Sequence, residues 1–201
     1  MTIGVIPIKK DSMRLPDKNF LSFNGKPLIQ LAIERLAPNV DEILISTDAP
    51  AAVQQVLSNI DLDHFGIPIN LFERQPRHSF GDIPADVPIK YMLRKIGVDP
   101  ETLIVMTQVT TPLATDFIIK TCICRFNDRK PDMLTTVFPD YIPNGAVYVC
   151  KARQFMDKPN IYSGRVFLVV LDYAQGLDID YYYQHAIAEA VARGDVAREF
   201  V

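Results

Sequence analysis

The chain has 201 residues, of which 48% are hydrophobic, and a formal net charge of −3 at pH 7. This length can bury a full core, and we predict a single domain over residues 1–201. The weakly acidic balance argues against a general nucleic-acid surface, and no apolar stretch approaches the length of a membrane span. No signal peptide is indicated, and the three cysteines do not suggest a disulfide framework, so we expect reduced thiols in a cytoplasmic protein.

Strand-like and helix-like segments alternate along the chain. Short apolar runs predict strands at Ile3–Ile8, Glu42–Thr47, Pro68–Phe72, Leu103–Thr107, Met133–Phe138, Ala146–Cys150 and Arg165–Leu171. Helical periodicity predicts helices over Pro27–Ala37, from Asp48 or Pro50 to Asn59, in the later part of Asp82–Ile96, and over Asp116–Asn127 and Asp180–Arg193. The alternation predicts an α/β fold: a three-layer α/β/α, Rossmann-like domain around a mostly parallel, mixed sheet of about seven strands.

The first strand leads into a basic loop, which reads I-P-I-K-K-D-S-M-R-L-P-D-K-N from Ile6 to Asn19. The loop carries four cations and a hydroxyl group, on Lys9, Lys10, Arg14, Lys18 and Ser12. A triphosphate needs several cations or N–H groups that converge, and open α/β sheets bind ligands beyond their strand ends. The loop therefore predicts a phosphate site, although a solvated basic turn explains the same residues. Neither the P-loop pattern nor a Gly-x-Gly-x-x-Gly fingerprint is present.

Two carboxylates alternate near the end of the chain, in Asp178-Ile179-Asp180. In an extended segment, residues two apart point the same way, so both carboxylates can face one point. Mg²⁺ is commonly held by one or two carboxylates together with substrate phosphates. The pair predicts a Mg²⁺ site, but the same residues fit a helix cap at Asp180 and a solvated Asp178.

Two further loops carry polar groups that suit a ligand. Gln108 directly follows the fourth strand, where its amide can donate to and accept from a sugar or a base. Gly145, in Asn144-Gly145, would allow close approach of the backbone to a ligand. Each segment has a structural alternative, a chain-reversing loop at Gln108 and a hairpin turn at Asn144-Gly145.

Taken together and in order, these segments resemble the CMP-sugar synthetases, namely the acylneuraminate cytidylyltransferases and the related KDO cytidylyltransferases. The opening loop is similar to the I-P-A-R-x-G-S-K-x-I-P-x-K-N of that family. The other matching segments, with the family's version in parentheses, are Asn24–Ile29 (G-G-K-P-L-I), Ile45–Asp48 (V-S-T-D), Gln108–Thr115 (Q-P-T-S-P-L-R-T), Pro143–Tyr148 (P-N-G-A-I-Y) and Leu177–Asp180 (I-D-I-D). Most of these matches are closer to the acylneuraminate branch than to the KDO branch.

The resemblance implies a nucleotide-diphospho-sugar transferase fold and a Mg²⁺-dependent reaction. CTP and a 2-keto sugar acid would give a CMP-sugar and pyrophosphate. Carried over by position, the nucleotide would contact Ile6, Ile8, Lys9, Ser12, Lys18, Asn19 and Arg74. The sugar acid would face Gln108, Asn144 and Gly145, and the metal would bind Asp178 and Asp180. Lys18 and Asp180 would carry catalysis.

The chain departs from the family pattern at Lys9, Asp11 and Ala114, where the family has Arg, Gly and Arg. Lys keeps the charge of Arg but loses its bidentate fork. The long family insertion that supplies dimer contacts and basic sugar ligands is reduced here to residues 139–143. A homodimer and the usual sugar specificity are therefore both open. The alternatives are a KDO enzyme, a smaller acid such as a phosphonate, a different base, or a non-catalytic nucleotide-binding or partner-binding protein.

Overall fold

A computed structural model describes residues 1–10, 12, 14–79 and 83–197. In this part of the chain the strands are β1 Thr2–Ile8, β2 Ser22–Phe23, β3 Lys26–Pro27, β4 Glu42–Thr47, β5 Ile69–Glu73, β6 Leu103–Met106, β7 Met133–Val137, β8 Pro143–Lys151 and β9 Val166–Val170. The α-helices are α1 Leu28–Leu36, α2 Pro50–Leu57, α3 Asp86–Lys95, α4 Asp116–Arg129, α5 Ala152–Asp157 and α6 Tyr182–Arg193. Two positions used in the sequence analysis lie outside the described residues: Asp11, which departs from the family pattern, and Asp82, where a helical pattern begins.

Seven strands form one sheet in the order β5-β4-β1-β6-β8-β7-β9. β8 runs antiparallel to its neighbours β6 and β7, and every other neighbouring pair is parallel. The predicted α/β fold with a mixed, mostly parallel sheet is thus confirmed. The C-terminal ends of six strands and the N-terminal end of β8 consequently meet at one edge of the sheet.

Strand β1 lies between β4 and β6 and is buried on both faces, as its nearly continuous apolar run predicts. Ile6 and Ile8 have no exposed surface. Burial of a side chain of this size contributes roughly 1.5–3 kcal/mol. The start of the basic loop is therefore anchored in the core.

Two boundaries near the predicted site differ from the sequence-based expectation. β8 begins at Pro143 rather than Ala146, because Pro143 pairs with Val137 across an irregularity in the ladder. Asn144-Gly145 is thus part of a strand, and its interpretation as a hairpin turn is wrong. Helix α6 begins at Tyr182 with Tyr181 as its N-cap, so Asp180 lies before the helix and does not cap it.

The sequence analysis missed a small hairpin, β2–β3, and helix α5. The hairpin turns at Asn24-Gly25, where both residues have positive φ angles of 47° and 85°, as a two-residue hairpin loop requires. Helix α6 is tied to this hairpin, because Glu189 accepts a hydrogen bond from the Asn24 backbone at 2.7 Å and Arg193 donates to the Asn24 side chain at 3.0 Å. These contacts fix the C-terminal helix against the end of the basic loop.

The remaining expectations concern the cysteines and membranes. All three cysteines are free thiols, which are buried at Cys122 and Cys150 and exposed at Cys124. Within the described ranges, no helix has the length and apolar character needed to cross a membrane.

Candidate active site

Two cavities adjoin at the edge where the strand ends meet, and Gln108 lines both. The β1-side cavity has a volume of about 170 Å³ and is lined by Pro7, Lys9, Lys18, Asn19, Arg74, Ile83, Ala85, Gln108, Val109 and Thr110. The β8-side cavity has a volume of about 450 Å³ and is lined by Gln108, Phe138, Pro143, Asn144, Gly145, Tyr173, Leu177, Asp178, Asp180 and Gln184. The sequence motifs, which lie far apart along the chain, therefore come together at one place.

Lys18 and Asp180 join the two cavities. Lys18 Nζ lies 2.6 Å from Asp180 Oδ1, and Arg14 Nη2 lies 2.9 Å from Asp180 Oδ2. The side chains of Lys18 and Asp180 are only 15% and 18% exposed, so their attraction is less screened than that of a surface pair. Two cations of the basic loop, Lys18 and Arg14, thus converge on the Asp180 carboxylate. An anionic ligand that competes with this carboxylate could pair with both cations.

The loop itself is held by its own polar groups. The backbone N–H of Lys10 donates to Asp48 Oδ1 at 2.8 Å, and Asn19 Nδ2 donates to the Lys9 carbonyl at 2.6 Å. Ser12 Oγ accepts a long hydrogen bond of 3.5 Å from the backbone N–H of Leu15. Ser12 therefore shapes the turn in this structure.

Arg74 lines the β1-side cavity, and its side chain is largely buried. Its Nε donates to Ser46 Oγ at 3.0 Å and its Nη2 donates to the Ser46 carbonyl at 2.9 Å. Burial lowers the pKa of Arg74, and the nearby Asp48 carboxylate raises it in part. The Ser46-Thr47-Asp48 motif at the end of β4 thus holds the guanidinium group of Arg74 at this cavity.

Asp178 presents a carboxylate that lacks a complete set of partners. Its Oδ1 is buried and has no hydrogen bond within the described part of the chain. Burial raises the pKa of Asp178, and the neighbouring Asp180 adds to this, whereas a hydrogen bond from Thr110 and the charges of Lys18 and Arg14 oppose it. A divalent cation would supply the missing partner, so the residues present fit a metal held by Asp178 and Asp180. No group of three or more His, Cys, Asp or Glu side chains with metal-site geometry occurs in the described ranges. Any such metal would consequently need ligand oxygens from elsewhere, as phosphates provide.

Gln108 is positioned by a buried cation that the sequence analysis missed. Arg35, on α1, is 5% exposed, and its guanidinium group donates to the backbone carbonyls of Gln108 and Thr111. Burial lowers its pKa to about 9, so Arg35 is still a cation at neutral pH. The helix that follows the basic loop therefore fixes the turn that carries Gln108.

We expect Arg35→Lys to weaken the site and the fold together. Lys has no fork, so at least one of the two carbonyls loses its donor, and an unsatisfied buried group costs about 1–3 kcal/mol. The melting temperature should fall by several degrees, and any activity that depends on Gln108 should fall more steeply than binding of CTP, the nucleotide that the family resemblance implies. Thermal unfolding and calorimetry with CTP measure the two effects. Arg125→Lys, at an exposed position of α4, is the matched control and should change neither.

Asn144 and Gly145 lie opposite Gln108. Gly145 has φ +75°, and a Cβ at this position would come within 2.8 Å of Gln108 Nε2, so only glycine fits without displacement. The Asn144 carbonyl Oδ1 accepts from the Thr136 hydroxyl at 2.6 Å and from the Ala146 backbone at 3.2 Å. The close approach of Gly145 to the Gln108 side chain brings the walls of the two cavities together.

The structure brings most of the predicted site residues together. Lys9, Lys18, Asn19 and Arg74 line the β1-side cavity, and Gln108, Asn144, Gly145, Asp178 and Asp180 line the β8-side cavity. Ile6 and Ile8 differ, because their side chains are in the core and only their backbone can face a ligand. Sequence reasoning missed Arg35, Thr110, Gln184 and the stacked rings of Phe138 and Tyr173. Of these, only Thr110 lay in a segment already singled out.

Fold and site together define an α/β protein with a basic loop, two adjoining cavities and a pair of carboxylates at one edge of the sheet. A family model described as cytidylyltransferase matches residues 3–187, and the chain belongs to this family. Family membership confirms the resemblance drawn from the sequence motifs.

Curated relatives include N-acylneuraminate cytidylyltransferases from Streptococcus agalactiae serotype V and serotype III. Each is 24% identical over 216 residues, which cover 89% of this chain and 50% of the relative. The chain thus spans about half the length of the curated relatives it matches.

Among solved structures, a CMP:2-keto-3-deoxy-manno-octonic acid synthetase complexed with CTP has a TM-score of 0.67 at 16% identity, covering 98% of this chain and 100% of that one. The Rv0371c homologue from Mycobacterium sp. strain JC1 has a TM-score of 0.68 at 20% identity, covering 97% and 98%. Rv0371c of Mycobacterium tuberculosis H37Rv, complexed with manganese, has a TM-score of 0.63 at 14% identity, covering 93% and 97%. These similarities establish the shared fold, which agrees with the nucleotide-diphospho-sugar transferase fold expected from the resemblance.

Proposed function

We propose that the protein transfers CMP from CTP to the anomeric hydroxyl of a 2-keto sugar acid of the acylneuraminate type, with release of pyrophosphate. The single observation that carries the proposal is the Lys18–Asp180 pair, 2.6 Å apart, at the junction of the two cavities. One cavity carries Lys9, Asn19 and Arg74, which suit a nucleotide, and the other carries Gln108, Asn144 and Gly145, which suit a hydroxylated acceptor. The family membership and the S. agalactiae relatives support the same reaction.

In the proposed reaction the oxygen of the acceptor hydroxyl forms a bond to the α-phosphorus and the hydroxyl proton is released to solvent. The bond from that phosphorus to the pyrophosphate oxygen breaks, and pyrophosphate leaves. Lys9 and Lys18 bind the phosphates, Asn19 and Arg74 hold the nucleoside, and Gln108 orients the acceptor towards the nucleotide. Asp178 and Asp180 would hold Mg²⁺, which when bound neutralises phosphate charge. Lys18 and Arg14 exchange the Asp180 carboxylate for phosphate oxygens as the nucleotide enters.

The proposal includes a single domain over residues 1–201, a cytoplasmic location and no nucleic-acid partner. A homodimer would require contacts other than those of the family insertion, which is reduced to residues 139–143. Acceptors such as KDO or a smaller phosphonate fit the same cavity chemistry.

A second candidate is a nucleotide-binding or partner-binding protein without turnover. The observation that favours it is Ala114, which is 1% exposed and so leaves no room for the family's arginine at that position. Calorimetry separates the candidates, because CTP binding without turnover on any acid would support the second.

The test of the leading proposal is pyrophosphate release from CTP and Mg²⁺ with a panel that includes N-acetylneuraminate, 2-keto-3-deoxy-manno-octonic acid and small phosphonates. We expect release with at least one acid and with CTP in preference to UTP, ATP or GTP. An absence of release across the whole panel would remove the proposal.

A further inference from the structure

Strand β9 forms one edge of the sheet and lacks the usual protection of an edge strand. Its neighbour in the described ranges is β7 on one side, with no strand on the other. The strand reads V-F-L-V-V, without a charge or a proline, and Leu168 and Val170 are 42% and 50% exposed. Native proteins protect sheet edges with charges, proline or bulges, because an unprotected edge pairs with other chains. The opposite edge, β5, does expose polar residues, Asn70 and Glu73.

The ladder with β7 determines which backbone groups of β9 face the open side. The Leu171 N–H donates to the Val137 carbonyl at 2.9 Å, and the Arg165 carbonyl also accepts from β7. Alternate residues of a parallel strand bond to the same neighbour, so the odd-numbered residues of β9 point towards β7. The even-numbered residues point their N–H and C=O groups away from it. We call these residues the β9 edge: Val166, Leu168 and Val170.

We propose that the β9 edge pairs with the β9 edge of a second copy of this chain, antiparallel and about a two-fold axis at Leu168. Each residue of the edge offers one donor and one acceptor, so two such edges complement each other when they run antiparallel. In this register Leu168 faces the partner's Leu168, and Val166 faces the partner's Val170. Each facing pair exchanges two N–H···O bonds, and the two sheets become continuous. The pairing does not depend on the proposed reaction.

The charges at the two ends of β9 favour the same antiparallel alignment. The end before the strand gathers three cations and one carboxylate through the contacts of one arginine: Arg129, Lys130, Arg165 and Asp132. The other end carries two carboxylates, Asp172 directly after β9 and Asp140 in the loop after β7. An antiparallel copy brings a basic end beside an acidic end on both sides of the axis, whereas a parallel copy would set like charges together. The edge is therefore complementary to itself in charge as well as in hydrogen bonding.

Cysteine cross-linking tests the register. The variants are Leu168→Cys and Val170→Cys, each made together with Cys124→Ser because Cys124 is an exposed thiol. Facing residues of a hydrogen-bonded antiparallel pair have Cα atoms about 5.5 Å apart, which a disulfide can span. Position 168 meets its own copy at the axis, whereas the two copies of position 170 lie about 14 Å apart along the strands. We expect diamide to convert Leu168→Cys into a covalent dimer and to leave Val170→Cys monomeric. Cross-linking of both variants, or of neither, would overturn the pairing.

Sedimentation velocity measures the dimer without a cross-link. We expect the wild type to sediment as a dimer at a concentration on the order of 100 µM, where weak interfaces are populated. Leu168→Lys should be a monomer, because two lysines would face each other at the axis. Phe117→Lys, at a 71% exposed position of α4, is the matched control and should stay a dimer.

Leu168→Pro separates backbone pairing from loss of the side chain. The N–H that it removes points away from β7, and an edge strand accepts proline at such a position, so the melting temperature should change little while the dimer is lost. A wild type that is monomeric at every concentration would overturn the proposal and leave the edge to an extended segment of another protein. A dimer that persists in both Leu168→Lys and Leu168→Pro would place the interface elsewhere and overturn it as well.

Discussion

Asp180→Asn is expected to lower kcat/KM for CMP transfer on the order of 10³-fold while the protein remains folded. The substitution removes one of the two carboxylates that would hold the metal. It does not remove the hydrogen bond from the backbone N–H of residue 180 to Gln184, which starts α6. Turnover should therefore collapse without loss of the helix.

We expect the same substitution to maintain or increase the affinity for CTP when no divalent metal is present. In the wild type, Asp180 holds Lys18 at 2.6 Å and Arg14 at 2.9 Å, and an entering triphosphate must compete for both cations. Asn carries no charge, so Lys18 and Arg14 become available to phosphate oxygens. Calorimetry without divalent metal should then show CTP affinity that is equal to or higher than that of the wild type.

Asp128→Asn, at an exposed position of α4, is the control for the general loss of an aspartate charge. It should leave both turnover and CTP affinity unchanged. Near-normal turnover in Asp180→Asn would refute the metal and catalytic assignments. Weaker metal-free CTP binding in that variant would instead contradict the exchange of partners by Lys18 and Arg14.

The sheet was predictable because the signal for each strand is local. A buried parallel strand requires a continuous apolar run, and β1 and β4 have such runs, with β4 matching its predicted bounds residue for residue. The start of β8 was not predictable in the same way. Asn144-Gly145 has the composition of a turn, and only the pairing of Pro143 with Val137, a contact between strands, extends the ladder over it.

The site was predictable only in part, for a related reason. Lys18 and Asp180 carry charges within recognisable motifs, so the sequence showed them although 162 positions separate them. Arg35 and Gln184 lie within amphipathic helices, where a polar side chain usually faces solvent. The role of Arg35 comes from a tertiary contact with the Gln108 turn, which no local pattern reveals. Gln184 instead accepts from backbone N–H groups three and four residues before it, a local contact at the start of α6 that the sequence analysis overlooked.

Asp178→Asn is expected to raise the stability of the metal-free protein and to abolish its response to Mg²⁺. Asp178 Oδ1 is buried without a hydrogen-bond partner in the described ranges, and burial, aided by the charge of Asp180, raises the pKa of this carboxyl above its ordinary 3.8. The ionised carboxylate of Asp178 is therefore less well solvated in the folded protein than in the unfolded chain. Asn removes that charge at nearly constant volume.

The raised pKa of Asp178 determines how the stabilising effect of the substitution changes with pH. Between 3.8 and the raised folded-state pKa, the folded protein binds more protons than the unfolded chain, so the contribution of Asp178 to stability falls as pH rises through that interval. At pH values above the interval the wild type bears the whole cost, and below 3.8 it bears none. The stabilisation by Asp178→Asn should thus grow as pH rises through that interval and vanish below 3.8.

Thermal unfolding with and without Mg²⁺ measures both effects. Relief of about 1 kcal/mol corresponds to a rise in Tm of about 2–4 °C for a chain of this size. Mg²⁺ added together with CTP should raise the Tm of the wild type by mass action above its value with CTP alone, whereas Asp178→Asn should show no such increment. A lower Tm for the variant at neutral pH, or a gain that is the same at every pH, would show that the buried carboxylate is satisfied in the free protein. The orphaned oxygen would then no longer be evidence for a metal ligand, because the argument for the site depends on a charge that folding leaves incomplete.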